Sequence, residues 1–282
     1  MSTYTNAYEI ASQIRRGINE FSTAKTQGTD TSGAYFNEEI LRSINDAQKF
    51  LFDIIFTRVP HLFLTSASIT AVSSVLTLPT DFFKLRRLEN SRGVKINPIG
   101  VDGRHLNEQQ GSKFLYYRKG NTLIIDHDGS GEIYTLWYFK RPRRLDFGKV
   151  QTASANSITL ATSARAEADY YNNMIIEDVT ADVYKTITAY SSARVATIAA
   201  TPATTDYYGL VSELPEEFHH LISSRGLLKM RGSINSILPP TVADIGIFKE
   251  ELVESVRSYC GDDLDKGDVT PEDVFLDLEP IF

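Results

Sequence analysis

The residues best suited to chemistry in this 282-residue chain are few, and their spacing argues against catalysis. Cys260 is the single cysteine. To act as a nucleophile it needs a histidine brought near in space, and at the end of an apolar helix a cysteine is more often a small packing residue. Its solitude also excludes an intrachain disulfide and fits synthesis in a reducing compartment. His219 and His220 are neighbours. On a helix their side chains diverge by about 100°, so they do not easily share a metal, and they read as surface or interface residues. Asp126, Asp128, Ser130 and Glu132 alternate like the oxygen ligands of a calcium loop. The twelfth-position glutamate is missing, however, and Asp128–Gly131 has the composition of a hairpin turn. The paired acids Glu38–Glu39 and Glu216–Glu217 invite comparison with a glycosidase. Adjacent helical residues do not face one substrate, and placement in the first turn of a helix accounts for both pairs. The chain has no phosphate-loop glycine–lysine signature, no Gly-x-Ser-x-Gly elbow and no His-Glu-x-x-His zinc helix. No catalytic residue, metal ligand or cofactor is assigned, and a non-enzymatic role is expected.

Charge is more informative. The formal net charge is −7, and residues 261–282 hold eight acids against one base, Lys266, so the remaining 260 residues are neutral. A neutral body argues against a general nucleic-acid binder that works by neutralising many phosphates. Two basic clusters stand out locally: Lys84, Arg86 and Arg87, and then Lys140, Arg141, Arg143 and Arg144. They have the character either of solvated strand ends or of the lining of a channel that carries DNA. No apolar run approaches the roughly 18 residues that span a bilayer, so no membrane partner is expected. The Met1-Ser2-Thr3-Tyr4 start lacks the basic and apolar regions of a secretory signal.

The elements that must position these residues change type along the chain. Ile10, Ile14, Ile18 and Phe21 have helical spacing, and a longer helix is predicted from Asn37, read as its N-cap, to Arg58 with the stripe Ile40, Ile44, Ala47, Leu51, Ile54 and Ile55. Val59-Pro60 ends it. From 62 to 141, β-branched and aromatic runs predict strands at 69–72, 75–78, 85–89, 113–118, 122–126 and 132–141, with a tight turn at Lys119-Gly120-Asn121 and a short helix at 101–110. Over 150–210, Ala, Thr and Ser supply 28 of 61 positions, and strands are predicted at 157–160, 173–179, 184–190 and 194–199. Helices return behind Pro215 and again at Ile245, Phe248, Leu252, Val256 and Tyr259. The predicted class is α+β. A bundle of N- and C-terminal helices is split by a small antiparallel sheet and an inserted small β module, and is followed by an extended tail. The predicted boundaries are 1–61, 62–149, 150–211, 212–260 and 261–282.

Several segments resemble head-to-tail adaptor proteins of tailed bacteriophages, in particular the tail-tubular-A-like class. Asn37-Glu38-Glu39-Ile40-Leu41 running into Ile44-Asn45-Asp46-Ala47-Gln48 resembles the early helix of that family. Leu78-Pro79-Thr80-Asp81-Phe82-Phe83-Lys84-Leu85 resembles the strand that follows it. Tyr116-Tyr117-Arg118-Lys119-Gly120-Asn121 and Leu136-Trp137-Tyr138-Phe139-Lys140-Arg141-Pro142 resemble its central sheet. Leu214-Pro215-Glu216-Glu217-Phe218-His219-His220-Leu221-Ile222 resembles the start of its returning helix. Asp169–Ile176, Ile187–Tyr190 and Val195–Ile198 resemble a small β module inserted in various phage structural proteins, although Thr180-Ala181-Asp182-Val183 replaces its usual glycine-rich turn.

The resemblance implies a homo-oligomeric ring, normally twelve-fold, at the neck of the virion. The ring joins the portal protein to the tail tube or nozzle, passes DNA without reading its sequence, and is made in the host cytoplasm before assembly. It further implies that the C-terminal segment docks on the portal, with Leu264, Val269, Val274, Phe275, Leu276, Leu278, Ile281 and Phe282 as apolar anchors. Two other function classes stand beside it. One is a virion binding module whose β insertion attaches a tail fibre protein or host glycan. The other is a cell-wall hydrolase, for which no acid can be nominated.

Overall fold

A computed structural model describes residues 5–20, 36–99, 115–125, 131–199, 206–232 and 239–260. The chain divides into two compact units, one formed by residues 59–141 and the other by 1–58 together with 142–282.

In the 59–141 unit, Pro60–Phe63 makes one 3₁₀ turn before seven strands. These are β1 (Leu64–Thr70), β2 (Val75–Thr77), β3 (Phe82–Glu89), β4 (Lys95–Pro98), β5 (Leu115–Lys119), β6 (Thr122–Ile125) and β7 (Ile133–Lys140). They form one sheet in the order β1-β7-β3-β4-β5-β6-β2, antiparallel except for β4 beside β5. β7 shows why the sheet has an inside. Tyr134, Leu136 and Tyr138 are buried while Ile133 and Trp137 are exposed, the period-2 alternation of a half-buried strand. Leu76, Leu88, Ile96, Leu123 and Ile125 complete that core. Two-residue turns close the hairpins. Ser73 and Ser74 both take positive φ between the paired Val72 and Val75, the geometry that matches strand twist. Gly120-Asn121 joins Lys119 to Thr122, as its composition predicts.

The other unit holds β8 (Phe147–Lys149), β9 (Thr152–Ser154), β10 (Ser157–Thr159), β11 (Ile175–Asp178), β12 (Val183–Tyr190), β13 (Val195–Ile198) and β14 (Tyr207–Leu210). The strand order is β8-β14-β11-β12-β13-β10-β9. The first and last strands of that order are consecutive stretches of one chain run. Between them Val150 N–H donates to the Asp206 carbonyl at one end of the sheet, and Gln151 N–H donates to Thr159 at the other. The sheet therefore curls back on itself as a barrel does.

Four helices accompany it among the described residues: α1 (Ala7–Gly17), α2 (Asn37–Arg58), α3 (His219–Arg231) and α4 (Val242–Cys260). Asn6 caps α1 by accepting from Glu9 N–H, and its side-chain amide donates to buried Glu177 on β11 at 2.5 Å. Two residues of α2 staple the chain that follows residue 141. Asn45 exchanges hydrogen bonds with the backbone of Leu145, and Gln48 donates to the Arg143 carbonyl while accepting from Ser212. The N-cap expected at Asn37 moves back one residue: Phe36 precedes the helix, its N–H donates to Glu39, and Asn37 instead accepts from buried Arg15 at 2.8 Å.

The predicted α+β class, a helical bundle with a small sheet, is overturned. Among the described residues, fourteen strands in two strongly curled seven-stranded sheets make the framework, and four helices stand beside them rather than forming a bundle around a small sheet. The reason is strand length. Of the strands that the spacing did not predict, β8 and β9 have three residues each and β4 and β14 have four, too short for alternation to show against the surrounding turns. The predicted helix at 101–110, Phe21, most of the turn at Asp128–Gly131 and the tail 261–282 lie outside the described residues.

Gly209 on β14 marks a close approach of α1 to the barrel. A Cβ there would sit 2.9 Å from the backbone nitrogen of Tyr8 and 2.9 Å from Asn6 Cγ. Backbone cannot yield as a flexible side chain can, so Gly209→Ala is expected to destabilise the fold by about 2–3 kcal/mol, read from urea unfolding. Undiminished stability would show that the α1–β14 contact is looser than described.

Candidate functional site

The side chains that cluster on the outer face of the 59–141 sheet form an open groove of about 480 Å³ lined by Leu64, Arg86, Arg87, Glu89, Lys95 and Trp137. A β-bulge builds it. Leu85 pairs with Tyr138 and Arg87 with Trp137, so Arg86 is an extra residue on β3 with no counterpart on β7. Residues adjacent in a regular strand point to opposite faces, whereas the bulge leaves both Arg86 and Arg87 exposed and lining the same groove. Glu89 organises the floor. It accepts from the indole N–H of Trp137 at 3.3 Å and pairs with Arg87 Nε at 2.5 Å. Three cations against one acid leave the groove with a net charge of +2 beside an exposed indole and Leu64. Such a surface suits an acidic, partly apolar partner and has no group placed for bond chemistry.

The other basic residues are distributed differently. Lys84 and Arg141 are exposed and Lys140 half-buried, all in the 59–141 unit. In the other unit Arg144 is exposed and Arg143 is buried. Arg143 donates from Nε and Nη2 to Glu213 at 3.0 and 2.7 Å, and from Nη1 to the carbonyls of Tyr170 and Asn172. Its own N–H also reaches Glu213. This guanidinium knits three chain segments together.

His219 departs from the expected surface position. It is buried at the start of α3, where Nε2 lies 2.9 Å from the Leu214 carbonyl, and burial lowers its pKa. His220 is exposed. Behind the closed sheet, Asp146 is fully buried and accepts from the Tyr208 hydroxyl. Burial pushes its carboxyl up to about 6, against the hydrogen bonds from Tyr208 and Ser163 that draw it down. Tyr171 and Tyr190 meet edge to face at 4.8 Å nearby, and burial raises both hydroxyls, Tyr190 to about 12. These are core groups. Among the described residues no cluster of three His, Cys, Asp or Glu side chains is arranged to hold a metal ion, and no helix is long and apolar enough to cross a membrane.

Sequence reasoning singled out Arg86 and Arg87 as basic residues, with solvated strand ends or a channel lining as their reading, and did not place Trp137, Glu89, Lys95 and Leu64 beside them. The adjacent arginines were the available signal, as charge alone; the bulge that brings them to one groove is a matter of register against β7.

No curated protein matches the chain. A family model described as SU10 adaptor protein matches residues 5–231, a span that contains both sheets and α1 to α3. That span covers most of the chain, and its curled sheets, polar-and-aromatic groove and core-bound titratable residues suit a protein that works by contact: the chain belongs to the SU10 adaptor family and is a structural adaptor of a bacteriophage.

Proposed function

We propose that the protein assembles as a ring, with twelve copies as the expected number, that joins the portal to the tail tube or nozzle and continues the DNA channel at the neck of the virion. The observation that carries this reading is the adaptor-family match over residues 5–231. The mechanism is geometric. Each copy contributes the same surfaces, and a closed ring repeats them at the radius of the channel. In this reading the exposed cations Lys84, Arg141 and Arg144 are the candidates to meet DNA, and the acidic segment 261–282 is an assembly arm directed at the portal. Twelve copies of a −7 segment would concentrate a charge of about −84 in one annulus, which repels in the free ring and favours a basic partner.

Adding the purified protein back to DNA-filled heads that lack it tests the proposal. The full chain is expected to yield heads that retain DNA and accept tails, and a chain truncated after Gly261 is expected to fold yet fail to attach stably. Heads that accept tails equally well without the protein would overturn the reading. Undiminished attachment by the truncated chain would remove the arm from it.

A further inference from the structure

The last described helix presents an open face. Phe248, Leu252 and Val256 on α4 are buried, at the spacing of one side of a helix. On the opposite side Ala243, Ile247, Glu250 and Glu254 follow at intervals of four, three and four, which makes them one stripe. All four are exposed. Ile247 is 56% exposed, and a Cβ added at neighbouring Gly246 would meet only open space. Neither glutamate has an ion-pair partner among the described residues. The stripe is thus apolar at its start and acidic along its next two turns, with exposed Arg257 one turn farther on.

The groove on the 59–141 sheet repeats that order across its strands. Leu64 on β1 and exposed Trp137 on β7 form its apolar end. Arg87 pairs with Trp137 on the next strand, and Arg86 in the bulge lines the same groove. Lys95 on β4 stands opposite Glu89, and Glu89 opposite Thr135, two residues from Trp137. From Trp137 to Lys95 is therefore two strand spacings across and two residues along, about 12 Å. From Ile247 to Glu254 is seven residues of helix, about 10.5 Å. A helix laid diagonally over the groove puts Ile247 on Trp137 and Leu64, Glu250 against Arg86 and Arg87, and Glu254 against Lys95. Its two acids offset the net charge of +2.

We propose that α4 of one copy docks across this groove on a second copy, through Ile247, Glu250 and Glu254. A second copy is the occupant because the apolar-then-acidic pattern that the groove calls for stands exposed on the chain itself. Two different surfaces meet, so the contact is head-to-tail, the type that closes into rings. The inference rests on the ring reading and deepens it by naming the joint between neighbouring subunits.

Mixing two full-length variants tests it, both with Cys260→Ser to remove the native thiol. One carries Ala243→Cys, a turn before Ile247, and the other Ser66→Cys, opposite Trp137. A short bismaleimide can join these two thiols only between copies. Heterodimers are expected about tenfold above those obtained when Thr57→Cys, exposed on α2, replaces Ala243→Cys, because docking raises the local concentration of the paired thiols. In the otherwise unaltered chain, Arg86→Glu with Arg87→Glu should cut the ring yield about tenfold, and adding Glu250→Arg with Glu254→Arg should restore it. Heterodimers no more abundant than the control, or a ring yield that ignores the reversed arginines or is not rescued by the exchange, would overturn the inference and leave the ring intact. Reversed-arginine rings that assemble like the parent but hold DNA less well in heads would assign the groove to DNA and overturn it too. A parent chain that forms no ring, alone or on portal, would overturn the ring reading and this joint with it.

Discussion

Replacing Arg143 with alanine is expected to cost about 3–5 kcal/mol of folding stability, the usual cost of removing one partner from a buried ion pair. The side chains of Arg143 and Glu213 are only 9% and 13% exposed. Truncation leaves the Glu213 carboxylate without its forked partner and strips the Tyr170 and Asn172 carbonyls of a donor. Arg143→Lys keeps the charge but not the fork, since a lysine ammonium cannot bind the carboxylate bidentately and reach both carbonyls, so an intermediate loss is expected. Urea midpoints at constant m-value are the measurement. A loss below about 1 kcal/mol for Arg143→Ala would mean that this site is wet and that the ion pair is peripheral.

Asp146 gives the second large effect, with a definite pH signature. Its carboxyl titrates at about 6 in the fold against 3.8 in the unfolded chain. The folded state therefore holds the proton more tightly, and this residue's contribution to stability is fully present below pH 3.8. It is lost as pH rises from 3.8 to about 6. Asp146→Asn keeps an acceptor for the Tyr208 hydroxyl and carries no charge to desolvate. The variant should match the parent near pH 4 and exceed it by up to about 3 kcal/mol above pH 6, the shift converted at 1.36 kcal/mol per pH unit. A stability difference that does not vary between pH 4 and 7 would contradict it.

Much of the local structure was legible. Ile10 and Ile14, and then Ile40, Ile44 and Leu51, announce α1 and α2 by spacing, and all five are buried. Tyr134, Leu136 and Tyr138 announce β7 by alternation. The closure of the sheets was not legible, because it depends on pairings with no local trace. Val150 meets Asp206, Asn6 meets Glu177, and Arg143 meets Glu213, 70 residues away. The balance of the fold class turned on exactly those short strands, β8, β9 and β14, whose existence follows from closure rather than from propensity. His219 was misplaced for a related reason. A histidine pair at a helix start looks solvent-facing until the Leu214 carbonyl is known to receive the first ring. In the groove, the arginines were visible as charge, but the bulge that turns Arg86 and Arg87 to one side depends on the register against Trp137.

The proposal that rests on the adaptor assignment makes one central claim, that this chain works as a repeated unit between two larger structures. Electron microscopy of the full-length protein mixed with purified portal tests it most directly. A closed ring seated coaxially on the portal, with one copy per repeat and an open central channel, is the result the account predicts. Monomers that leave the portal unoccupied at concentrations well above those of assembly would contradict it.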